Sequence, residues 1–138
     1  MVDDVLLNKV AIIERCLARI NDEYRGHEEE LDANLTRQDS IVLNLQRACE
    51  AAIDLAMHMV RARALGLPQE SREAFALLQQ AALIDEQISK RMQAMVGFRN
   101  IAVHAYQKLS LPIVRSILDT RLGDFKAFTA AVLKQSGK

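Results

Sequence analysis

Apolar residues recur at spacings of three and four along most of this chain, which is the period of helices with one buried face. Leu6, Val10, Ile13, Leu17 and Ile20 form the first such stripe and predict a helix starting near Val2 or Asp3. Asp3 and Asp4 suit the positive end of its dipole. The pattern weakens after Asn21, and Gly26 with the acids that follow predicts a fraying end or a poorly packed extension to about Leu31. A second stripe, Ile41, Leu45, Ala48, Ala52, Leu55 and Met59, predicts a long helix from Thr36 or Asp39 to about Leu65. Ala48, Ala51, Ala52 and Ala56 leave room for another helix to approach it. Gly66 and Pro68 predict its end, with Gly66 as the C-terminal cap.

Ser71 is the expected N-cap of a short third helix, Arg72 to about Ala82, with Phe75, Leu78 and Ala82 as its core contacts. A fourth helix starts near Asp85 and turns Ile88, Met92, Met95 and Phe98 inward. Leu109 to Pro112 is a break with Ser110 as the next cap. A last helix, Leu111 to about Leu133, presents Ile113, Ile117, Phe125, Phe128 and Val132, with Gly123 loosening it midway. Ser136 to Lys138 is expected to be a disordered tail. The fold class is all-α: one domain over residues 1–138, an antiparallel bundle of four to five helices.

Composition agrees with this reading. Only two Pro and five Gly interrupt a chain that is 50% apolar, and no Asn-Gly or Asp-Gly hairpin signal occurs. The formal net charge is zero, which excludes a protein that coats nucleic acid through bulk positive charge. The charges are nevertheless uneven. Glu28, Glu29, Glu30 and Asp32 crowd one stretch beside Arg25, expected as a solvated helix face with His27 exposed next to it. From Gln87 to Leu118 there is no acid at all, while Lys90, Arg91, Arg99, Lys108 and Arg115 are basic. A phosphate ligand would suit that stretch. Cys16 and Cys49 make no metal-ligand pattern and read as buried small hydrophobes in a reducing compartment. The acidic N-terminus lacks the basic start of a signal peptide, and no apolar run reaches membrane-spanning length. The expected location is the cytoplasm, with no membrane association.

The candidate chemistry lies in the acid-free stretch, at Met95–Tyr106, M-V-G-F-R-N-I-A-V-H-A-Y. Arg99 brings a planar, permanently charged fork suited to phosphate, and His104 a group that moves protons near neutral pH. Asn100 lies one turn before His104 on the same helix face, where it would orient the imidazole or bind a phosphate oxygen. Arg99 and His104 are about 140° apart around a continuous helix. Joint action on one phosphate therefore needs Arg99 to reach around, the helix to end near His104, or a second copy of the chain to complete the site. These are the minimum parts for cleaving RNA by its own 2′-hydroxyl without a metal or cofactor. A single His cannot easily serve as base and acid in one turnover, which favours a symmetric dimer. Against this stands the chance occurrence of Arg and His five apart in a helical protein. Tyr106, on the residues alone, reads as a half-buried ring under the last helix. Asp54, on the polar side of the second helix between Arg47 and His58, either supports the motif or makes an ordinary surface pair.

R-N-I-A-V-H-A-Y resembles the R-N-x-x-x-H-x-Y motif of HEPN domains, specifically the HepT-like toxins of bacterial toxin–antitoxin pairs. Leu43–Ala56 (L-N-L-Q-R-A-C-E-A-A-I-D-L-A), Leu65–Pro68 (L-G-L-P), Glu73–Leu78 (E-A-F-A-L-L) and Met95–Asn100 (M-V-G-F-R-N) resemble that family too, in its order along the chain. The resemblance implies a helical bundle that dimerises so that two motifs line one composite cleft. It implies a metal-independent endoribonuclease using Arg99, Asn100 and His104, supported by an acid for which Asp54 is the candidate, with tRNA among the possible targets. It further implies a partner antitoxin, a minimal nucleotidyltransferase of the MNT type, that silences the toxin by transferring AMP to Tyr106. The alternatives are a non-catalytic nucleotide-binding or scaffold subunit of a nucleotidyltransferase complex, and a structural helical dimerisation module.

Overall fold

The computed structural model describes residues 3–136. Among them are six α-helices and no strand: α1 (Asp4–Tyr24), α2 (Leu35–Ala62), α3 (Ser71–Gln80), α4 (Glu86–His104), α5 (Leu111–Thr120) and α6 (Gly123–Ser136), with single 3₁₀ turns at Glu28–Glu30 and Tyr106–Lys108. Val2 and the expected tail residues Gly137 and Lys138 lie outside the described residues, whereas Ser136 is the last residue of α6.

Side-chain caps fix most of the helix starts. Asp3 accepts from the Leu6 amide, Asn34 from Arg37, Asp85 from Ile88 and Ser110 from Ile113, each supplying an acceptor that the first helical turn lacks. Two expected caps fall elsewhere. Ser71 is the first helical residue rather than the cap, and the Glu73 carboxylate bonds back to the Gln69 amide instead. Helix α2 ends at Ala62, and the residue that turns into the left-handed region is Ala64 (φ 53°). A non-glycine residue carries that turn, so Gly66 follows the end of the helix rather than capping it.

Cross-links running in opposite residue order make neighbouring helices antiparallel. Asp3 meets His58, Lys9 meets Asp54 and Glu23 meets Arg37, which sets α1 against α2. Arg99 shares a cavity with Asp54 while Tyr106 reaches back to Asp39, which sets α4 against α2. The predicted α2 stripe is buried throughout, and so are all four alanines. Phe75 of α3 and Phe128 of α6 meet edge to face at 5.3 Å, a favourable ring geometry that fastens the short helix to the last one.

Three expectations change. The single last helix is two, because the chain turns at Arg121–Leu122 and α6 restarts at Gly123. Ile113 is exposed, whereas Ile117 is buried as expected, together with Val114 and Leu118. Ala82 is also exposed, in a left-handed turn that places Leu83 and Ile84 in the core.

The stretch after Asn21 is tightly packed rather than frayed. Tyr24 and Leu31 are buried, and the Tyr24 hydroxyl donates to Asp119 at 2.6 Å. Two of the four acids there are paired, Glu30 with His27 and Arg37 and Asp32 with Arg115, while Glu29 is exposed. The Arg115 pair ties the turn between α1 and α2 to α5, so the run is solvated only in part.

Candidate functional site

Helix α4 ends at the motif. Its last helical residue is His104; Ala105 leaves the helical region (φ −147°, ψ 51°), and Tyr106–Lys108 makes one 3₁₀ turn before the Ser110 cap. Of the three ways to reconcile Arg99 with His104, a helix terminus at His104 is present within one chain. The imidazole stands exposed at that terminus, and Asn100 is half-buried one turn before it.

Arg99 points away from this tip, inward against α2. Its Nη2 donates to the Ser71 hydroxyl at 3.4 Å, and its buried Nε has no hydrogen-bond partner. A cavity of about 300 Å³ opens there, walled by Glu50, Ile53, Asp54 and Arg99. His104 is not among its walls. Burial pushes the thiol of neighbouring Cys49 up, with the Arg99 charge opposing. Cys16 is shifted the same way by burial. Both thiols are buried and unbridged.

Asp54 shares the cavity with Arg99 but is tied to Lys9 of α1 at 3.2 Å. The surface pair it makes is thus with Lys9 rather than with His58, which Asp3 engages at 2.8 Å. Tyr106 is half-exposed rather than packed under the last helix. Its hydroxyl donates to Asp39 of α2 at 2.8 Å, beside a second cavity of about 300 Å³ walled by Asp39, Val42, Leu43, Gln46 and Tyr106. Partial desolvation, then the bond to Asp39 and its charge, push the phenol up to about 12.

Several groups here were not singled out from the sequence. Glu50 and Asp39 come from α2, so the acid-free stretch is not acid-free in space. Ser71 supplies the partner of Arg99. A second guanidinium, that of Arg72, lies across α4 at Gly97, where an added Cβ would stand 2.9 Å from Nη2; its Nε donates to the Gln93 carbonyl. Spacing within α2 places Glu50 and Asp54 on one face, but only the register between α2 and α4 reveals which side chain that face meets. Among the described residues no group of three His, Cys, Asp or Glu is placed to hold a metal ion, and no helix is long and apolar enough to cross a membrane.

Comparison with known proteins agrees with the all-helical fold. The chain is 48% identical over 126 residues to the mRNA nuclease HepT of Shewanella oneidensis, covering 91% of this chain and 94% of that protein. The tri-AMPylated HEPN toxin of Shewanella oneidensis, solved in complex with its MNT antitoxin, superposes with a TM-score of 0.91 at 45% identity, over 96% of this chain and 99% of that one. A toxin–antitoxin structure with AMP-PNP matches equally well, with a TM-score of 0.91, 45% identity and the same coverage of both chains. The cytosolic protein YutE of Bacillus subtilis shares the fold alone, at 10% identity with a TM-score of 0.81 over 94% of this chain and 87% of that one. The model of the HepT-like ribonucleases matches residues 13–132, and the chain belongs to that family.

Proposed function

We infer that this protein is a cytoplasmic RNA-cleaving toxin that works without a metal ion as a homodimer, and that an MNT-type nucleotidyltransferase antitoxin silences it by adding AMP to Tyr106. The observation that carries the cleavage reading is Arg99: a guanidinium with a buried, unpartnered Nε beside an open cavity, five residues before an imidazole exposed at a helix end. A buried charged donor left unpaired is costly, and a phosphate oxygen is the kind of acceptor that would relieve it.

The reaction needs no further group. A ribose 2′-oxygen attacks the adjacent phosphorus while one His104 takes its proton. The 5′-oxygen leaves with a proton from a second His104, and the strand ends in a 2′,3′-cyclic phosphate. Arg99 stabilises the charge on the phosphorane. Asn100, on the His104 face, orients the imidazole or holds a phosphate oxygen. Asp54 supports Arg99 from across the shared cavity while Lys9 fixes its carboxylate. The second imidazole comes from a second copy. Leu43, Ile101 and Val103 are large apolar residues left exposed around the motif, a surface suited to covering by that copy. The Shewanella relative is named as an mRNA nuclease. RNA is therefore the substrate class for this chain, with messenger RNA alongside the tRNA that the family resemblance implies. The family of ribonucleases leaves the scaffold alternative without support.

Tyr106 fits the role of modification site because its hydroxyl is at the surface two residues beyond His104. An AMP there places a negative phosphate and a bulky nucleoside beside the cleft. Purified protein incubated with RNA in excess chelator should release fragments with 2′,3′-cyclic phosphate ends. Cleavage that stops on chelation, or that leaves 3′-hydroxyl ends, would contradict the mechanism.

A further inference from the structure

Tyr106 is held by a hydrogen bond that RNA cleavage does not require. Its hydroxyl donates to the Asp39 carboxylate at 2.8 Å, across 67 residues of sequence, joining the 3₁₀ turn after α4 to the first turns of α2. Both side chains are exposed, and the cavity beside them opens to solvent between Val42, Leu43 and Gln46. Exposed polar pairs of this kind contribute little to stability. The bond does fix where the phenol oxygen points and where its proton goes.

We propose that Asp39 is the positioning residue and proton acceptor that makes Tyr106 the adenylyl acceptor. The proposal rests on the reading of Tyr106 as the site of AMP addition. In the step, the phenol oxygen attacks the α-phosphorus of a nucleoside triphosphate held by the nucleotidyltransferase. The bond from that phosphorus to the bridging oxygen breaks, pyrophosphate leaves with the electron pair, and the phenolic proton passes to Asp39 and then to water. No oxidant or reductant is involved.

Three features support this. A phenol raised to about 12 is almost wholly protonated at neutral pH, so attack as phenolate needs a base within hydrogen-bond reach. Asp39 is that base by distance and is the one titratable side chain among the other four walls of the cavity; His104 and Lys108, the titratable neighbours on the same segment, are not walls of it. The cavity gives a nucleotide room to approach the oxygen from outside the bundle. After transfer the tyrosyl oxygen has no proton to donate, and its new phosphodiester charge faces the Asp39 carboxylate. The modified side chain is then repelled from α2 toward the cations of the motif.

The test compares AMP addition by the nucleotidyltransferase antitoxin and MgATP to wild-type toxin, Asp39→Asn, Asp39→Glu and Tyr106→Phe, read by intact mass over time from pH 6.5 to 9. Antitoxin affinity and melting temperature are measured for each. Wild type should be modified at Tyr106 at a rate nearly independent of pH between 7 and 9. Asp39→Asn should bind the antitoxin normally but transfer about 100-fold more slowly at pH 7, rising about tenfold per pH unit as solvent removes the proton. Asp39→Glu should recover part of the rate. Wild-type rate and pH profile in Asp39→Asn would overturn the proposal and leave Tyr106 as the modified residue. A slow Asp39→Asn with a flat pH profile and weakened antitoxin binding would also overturn it, because a docking contact gives that result. No AMP on wild type, or equal AMP on Tyr106→Phe, would overturn the Tyr106 reading and this proposal with it.

Discussion

Between Ile41 and Val60, helix α2 is buried on every turn, its large side chains alternating with alanines that admit its neighbours. Between Ile101 and Ser110 the chain does the opposite. It ends a helix, exposes Ile101, Val103, His104 and Tyr106, and makes a single 3₁₀ turn before the next cap. The first region uses burial to fix geometry. The second uses that geometry to hold reactive groups at the surface. Arg99 belongs to both: its Nε is inside the bundle, and the cavity at its tip is open. The division predicts that damage to α2 will appear as lost stability, and damage to the end of α4 as lost chemistry.

The largest separation of the two should come from Leu55→Ala, which empties a fully buried position of α2. It should cost about 2–5 kcal/mol in denaturant unfolding, with cleavage per folded molecule retained below the transition. Arg99→Ala should do the reverse. RNA cleavage should fall about 100- to 1,000-fold with little change in melting temperature, since removing it also removes an unpaired buried donor. Arg99→Lys should restore little of the rate, because an ammonium lacks the two-pronged fork.

Much of this division was legible in the sequence, and the limits follow from what periodicity encodes. A stripe at spacings of three and four names the inward face of a helix, so α1, α2 and α4 and the spine of each buried face follow from it. Val42, Ile53 and Val60 of α2 and Ser89, Val96 and Ala102 of α4 widen those faces beyond the stripe. It does not encode a cap that glycine leaves to Ala64, or a two-residue turn that splits the last helix at Gly123. Ile113 lies in the first turn of α5, where one residue of rotation moves it from core to solvent. The motif itself is contiguous and legible. Its partners are not, because Ser71, Glu50 and Asp39 reach it only through the register of α2 and α3 against α4. The census of acids along the chain failed for the same reason.

Smaller changes sharpen the comparison further. Ala52→Leu overfills the fully buried seam of α2 and should destabilise by about 1–3 kcal/mol, again with little effect on cleavage by the folded fraction. The smallest expected effect is at Asp3, which caps α1 and bonds His58. The His58 bond first, then the Leu6 amide, hold its carboxyl below the usual range, against the opposing effect of burial. A lowered folded value means that its stabilisation is present above the unfolded aspartate range, near pH 4, and is lost as pH falls through the lower folded value. Asp3→Ala should therefore cost roughly 1 kcal/mol at pH 7 and show a weaker loss of stability between about pH 4 and pH 2 than wild type.

The central claim is that the exposed end of α4 cleaves RNA through His104 without a metal ion. Its most direct test is the cleavage rate of one RNA by wild type and His104→Ala, side by side in excess chelator, with both melting curves recorded. Cleavage by wild type, its loss by at least about 100-fold in the variant and superimposable melting curves are the result expected. Equal rates for the two proteins, or no cleavage by wild type until a divalent metal is added, would contradict it.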